Sequence, residues 1–181
     1  MDHFFWPTGF ACTVISGNTV LPNSYNLNIG IEPDNAGPNS ISVGFKKMRY
    51  FIDNYLNNSI FINVTNPLAD KLVGLDTNVV YFSEEPYDYY VGLVLYQKLW
   101  TITEKYFHIG LLSIDSAVGD RVQYNISDPA EHEDLNLTGN NWWNMDSVDT
   151  GIGKSKSWND LNIEQGPKFQ PVVVQGGRVE D

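Results

Sequence analysis

Cysteine is almost missing from this chain of 181 residues, with Cys12 standing alone. That absence excludes an internal disulfide and any cysteine-rich zinc site, and it matches what a reducing compartment produces. Long apolar runs are missing as well. No stretch reaches the roughly 20 apolar residues that a membrane-spanning helix needs, and the first residues have neither the basic start nor the apolar run of a secretion signal. The cytoplasm is therefore the expected location, with no membrane partner. Positive charge is also in short supply: 11 Lys and Arg face 22 Asp and Glu, for a net charge of -11. Nucleic-acid grooves are bound through cations that neutralise phosphates, so direct nucleic-acid binding is not expected. The Gly-x-Ser-x-Gly elbow, the phosphate loop and the dinucleotide fingerprint do not occur. Gly151-Ile152-Gly153-Lys154-Ser155 lacks the upstream glycine of a phosphate loop, and no cofactor is expected.

The aromatic share is 13% and the hydrophobic share 42%, which places the chain among folding rather than disordered sequences. A length of this kind suits one domain whose fold buries roughly 70% of the unfolded surface. Phe10 to Ser16 reads as a strand, and Tyr25 to Ile31 alternates apolar with polar positions as a half-buried strand does. A hairpin joining the two would have a long loop through Gly17-Asn18 and Pro22-Asn23. Phe45, Met48, Phe51, Ile52, Tyr55 and Leu56 then fall at spacings of three and four, predicting an amphipathic helix.

Ile60 to Val64 and Val79 to Phe82 follow as strands, with a helical turn over Pro67 to Leu72 between them. Ser83-Glu84-Glu85-Pro86 carries the strongest helix-start signal, opening a largely apolar helix through Trp100. Phe107 to Ile114 and Arg121 to Ile126 read as a hairpin closed by a tight Gly119-Asp120 turn. The expected fold class is α+β: a mostly antiparallel sheet of about six strands, two principal helices packed on one face, and a long irregular C-terminal arm. The core spans residues 1–127, and the acidic, tryptophan-containing arm spans 128–181, docked on the same domain.

The arm concentrates the acidity. Residues 128–181 carry 4 basic and 10 acidic groups for a net of -6, against 7 and 12 for a net of -5 in the rest. Phe169 to Gln175 could return as an edge strand, since Pro171 is tolerated there. Trp142, Trp143 and Trp158 lie among Asn, Asp, Ser and Gly, in a segment with too few aliphatic residues to make a core of its own. They either pin the arm to the domain or are presented to a partner, because Trp is enriched at binding hot spots.

Two kinds of site follow. The first is a partner-binding face made of Trp142, Trp143 and Trp158 with Glu131, Glu133, Asp134, Asp146 and Asp149. It would belong to an acidic, non-enzymatic protein-binding module of the inhibitor, immunity or nucleic-acid-mimicking kind, blocking a basic site on a protein partner. The second is a metal centre of Asp115, Asp120, Asp128, Glu131 and His132, serving a metal-dependent hydrolase or nuclease; carboxylate oxygens suit hard cations, and the acids around His132 favour its protonated form. A third reading makes the chain an assembly subunit whose arm wraps a neighbour. Oligomeric state is not legible in the sequence.

Overall fold

Gly17 holds φ at +56°, the left-handed value that the first central position of a two-residue hairpin turn requires. It joins β1 (Phe4–Ser16) to β2 (Thr19–Glu32), which pair antiparallel from Ser16↔Thr19 to Phe4↔Ile31. The long loop expected from Pro22-Asn23 is thus a two-residue turn. Pro22 fits inside β2 because that stretch lies beyond the pairing with the next strand, which begins at Tyr25. There the missing N–H breaks no ladder.

The computed structural model describes residues 4–33, 37–128, 141–148 and 158. After β2 the chain forms α1 (Pro38–Phe51), extended by a wide turn over Ile52–Leu56 in which the amide of Asn57 reaches back to the carbonyl of Ile52 at 2.9 Å. Then come β3 (Ser59–Asn63), the short α2 (Ala69–Leu72), β4 (Val79–Phe82), α3 (Asp88–Thr103), β5 (His108–Ser116) and β6 (Tyr124–Ile126). One sheet results, in the order β4-β3-β1-β2-β5-β6. Pairing is antiparallel for β1–β2, β2–β5 and β5–β6, and parallel for β1–β3 and β3–β4.

Both long helices cover one face. Phe10, Tyr25, Leu27, Ile29, Phe61 and Val80 from that face bury against Met48 and Phe51 of α1 and Leu95 and Leu99 of α3. Alternate positions Ile15, Ile62 and Tyr81 point the other way and form a smaller cluster with Ala69 of α2, as the period of two demands. α3 is apolar nearly all round because it packs on the sheet, on α1 and under the arm. It begins at Asp88, with Tyr87 at the N-cap, so Ser83-Glu84-Glu85-Pro86 lies just before the helix and does not open it.

The β5–β6 connection is also longer than the expected tight turn. β5 runs to Ser116 and β6 starts at Tyr124, because the intervening segment is tied to α3. The carboxylate of Asp88 accepts from the Ser116 hydroxyl at 2.6 Å and from the Asp120 amide at 2.8 Å. Gly119 lies so close to that carboxylate that a β-carbon there would collide with both of its oxygens. The suggested strand over Phe169 to Gln175 falls outside the described residues.

Candidate functional site

Two of the three tryptophans sit in residues 141–148, where a short 3-10 turn over Trp142–Asn144 crosses α3. Trp142 is 5% exposed, Trp143 1% and Trp158 3%. The Trp142 ring packs on Phe51, Phe82 and Trp143. Its indole N–H donates to the carbonyl of Tyr81 at 2.7 Å. Alternation along β4 turns that carbonyl away from β3, toward the open side of the edge strand, so the indole caps a position that another strand would otherwise seek. Each buried indole contributes roughly 3 kcal/mol of apolar burial. The tryptophans therefore fasten the arm, and the expectation that they present an apolar face to a partner is corrected. Trp142, Trp143, Val148 and Trp158 complete the core of the domain.

Lysines supply the rest of the fastening. Lys98 of α3 is fully buried. Its ammonium donates to the carbonyls of Trp142 at 2.9 Å and Met145 at 2.7 Å, and lies 5.5 Å from the Phe51 ring centroid and 5.7 Å from that of Trp142. Lys47 of α1 is equally buried; it meets Asp146 at 3.4 Å and the faces of Tyr106 and Trp158 at 4.8 and 5.2 Å. The second oxygen of Asp146 takes the exposed Lys105 at 3.2 Å, and its first accepts the Trp158 indole N–H at 2.8 Å. Burying an ammonium is costly unless carbonyls, carboxylates or ring faces replace its water, and here the arm provides all three. Asp146, expected to face a partner, is instead the counter-ion of this internal cluster.

No pattern in the sequence marked Lys47 and Lys98 as buried. The signal available was positional: Lys47 lies four residues before Phe51 and Lys98 four before Ile102, on the apolar stripes of their helices.

The metal reading finds its described members apart. Asp115 accepts from the Asn26 side chain at 3.0 Å on the sheet face away from the long helices. Asp120 accepts from the Tyr124 hydroxyl at 2.7 Å, and Asp128 is exposed past the end of β6. Among the described residues no three His, Cys, Asp or Glu side chains gather as a metal would require. Glu131, His132, Glu133, Asp134 and Asp149 lie outside the described residues. An open depression of about 430 Å³ beside α2 is lined by amides, Leu75, Thr77 and the single carboxylate Asp76.

The buried Asp88 is the other polar centre. The Tyr25 hydroxyl donates to it at 3.2 Å, and burial followed by this carboxylate pushes the Tyr25 phenol far above its ordinary value. Cys12 is pushed up to about 12 by burial, with Asp88 adding to it. A thiol so perturbed is protonated at neutral pH and is a small apolar group, not a nucleophile.

The end of the sheet above Asp88 carries much of the exposed apolar surface: Val20, Leu21, Val64, Tyr87 and Val118 all lie there. Glu84 and Asp120 are exposed beside them and Glu85 is half-buried. No helix among the described residues is long and apolar enough to cross a membrane. No protein-family model matches the chain. No curated protein is detectably similar to it.

Proposed function

We propose that this protein is a non-enzymatic binding module that offers an acidic surface to a basic site on a protein partner, in the manner of an inhibitor, an immunity-type protein or a nucleic-acid mimic. The observation that carries the proposal is the imbalance of 22 acidic against 11 basic residues. The placement of the cations sharpens it. Lys47 and Lys98, two of the eleven, have no solvent exposure, so their charge is taken up inside the molecule. Carboxylates left on the surface steer a cationic partner toward it and repel anionic competitors. The tryptophans support this role indirectly, by holding residues 141–148 and 158 against the domain. A single buried cysteine suits a reducing compartment, and the proposal sets the protein in the cytoplasm.

The test is capture by the full-length chain from cells that express it, at about 50 and about 500 mM salt. The proposal expects a partner with a basic surface that is held at low salt and released at high salt. A neutral or acidic partner retained equally at both would contradict it.

A further inference from the structure

We infer that the surface meeting the partner is the ledge at the upper end of the sheet, where Leu21, Tyr87 and Val118 stand beside Glu84, Glu85 and Asp120. The occupant is a protein segment in which Lys or Arg flanks aliphatic side chains. The inference rests on the binding role proposed above and names its site.

Register puts the ledge on the side that carries α3. Tyr25 and Leu27 of β2 point to that side, so Asn23 and Leu21 do too, as do Val14 and Ser16 of β1. The Ser16 hydroxyl donates to Glu85 at 2.8 Å, drawing the segment before α3 onto the hairpin. The Asn23 side chain accepts the amide of Val118 at 3.0 Å, drawing in the β5–β6 connection. Asp88, adjacent to Tyr87, binds that connection through Ser116 and the Asp120 amide. Three chain segments are thereby hydrogen-bonded into one support.

On that support Tyr87 is 64% exposed, Val118 49% and Leu21 46%. Single exposed apolar residues are ordinary, but three on one ledge edged by carboxylates have the anatomy of an interface, apolar at the centre and charged at the rim. Within residues 16–23, 84–88 and 116–121 the acids that reach solvent are Glu84, Glu85 and Asp120, and the single cation is Arg121. The charge of the ledge therefore complements a basic occupant. Recognition by strand addition is disfavoured, because the free stretch of β2 contains Pro22, which has no N–H to offer.

The experiment uses the full chain and a synthetic peptide of alternating Lys and Leu, with a Lys and Ser peptide as comparator, read by amide chemical shifts. The Lys-Leu peptide is expected to shift residues 19–23, 84–88 and 117–121 and to bind about tenfold more tightly than the comparator. Leu21→Ser with Tyr87→Ser should weaken it about tenfold, and Glu84→Lys should weaken both peptides. Val73→Ser with Leu75→Ser, exposed apolar residues away from the ledge, should change nothing. Shifts centred elsewhere, equal affinity for both peptides, or an equal loss in the Val73 and Leu75 variant would overturn the ledge while leaving the acidic binding role intact. Failure of both peptides to bind would overturn the two together.

Discussion

The ammonium of Lys98, in the middle of α3, lies 2.7 Å from the main-chain carbonyl of Met145, forty-seven residues further along the chain. A buried cation reaching main-chain oxygens over that separation fixes where residues 142–145 lie. It ties residues 141–148 to α3 more specifically than apolar packing alone, since a hydrogen bond fixes direction as well as proximity.

Lys98→Met keeps the bulk of the side chain and removes the donor. The carbonyl of Trp142, which is buried, and that of Met145, which is partly so, then lose a charged partner, so the loss of stability is expected at about 2–4 kcal/mol. Denaturant unfolding measures it. The variant should also be cut by protease within residues 141–148 faster than the parent is.

Asp146→Asn and Lys105→Ala separate the two ends of the outer cluster. Asp146 is the counter-ion of the buried Lys47 and an acceptor for Trp158, so its neutralisation should cost about 1–3 kcal/mol. Lys105 binds the same carboxylate from an exposed side chain, and its removal should cost less than about 0.5 kcal/mol. The comparison is made by thermal melting at matched pH.

Alkaline pH should weaken the fold in a defined window. Burial, with Asp128 and Glu32 adding to it, pushes the Tyr96 phenol up to about 12, and its hydroxyl donates to the carbonyls of Ile109 and Ser127. Cys12 is raised to about 12 by burial and by Asp88. Both groups keep their protons in the folded chain at pH values where the unfolded chain has released them. This stabilisation is complete below the ordinary values of 9.0 for the thiol and 10.0 for the phenol. It is lost as pH rises toward about 12. The unfolding midpoint should be flat below the thiol value and fall above it. Thiol reagents should label Cys12 in the native protein only at the rate of unfolding.

Gly119→Ala tests the tie between α3 and the β5–β6 connection. The added methyl would press on the Asp88 carboxylate and displace its hydrogen bonds to Ser116 and Asp120, for a cost of about 1–3 kcal/mol. Denaturant titration should detect this loss with the slope unchanged.

The parts of the fold legible in the sequence are those whose side chains alternate strictly or repeat at helical spacing. Tyr25, Leu27, Ile29 and Ile31 announced β2, and Met48 and Phe51 announced the buried face of α1. Element ends were less legible because distant residues set them. α3 starts at Asp88 where that carboxylate can meet Ser116, and no local pattern contains that contact. β1 and β2 run far beyond their apolar cores because the Gly17-Asn18 turn keeps them paired. The tryptophans are conspicuous in the sequence, but Trp142 and Trp158 pack against the ammonium groups of Lys98 and Lys47, and helical spacing does not say what neutralises a charge on an apolar stripe. The ledge at Leu21, Tyr87 and Val118 left no trace in the sequence at all, since its members come from three separate segments.

The central claim is that the tryptophans belong to the core and are not a contact surface, and hydrogen exchange at the indole N–H of Trp142 tests it most directly. That proton is bonded to the carbonyl of Tyr81, and its exchange should be slowed as strongly as the amides of β3 and remain so when a basic partner binds. Rapid exchange in the free protein, or a change in its protection that follows partner occupancy, would contradict the account.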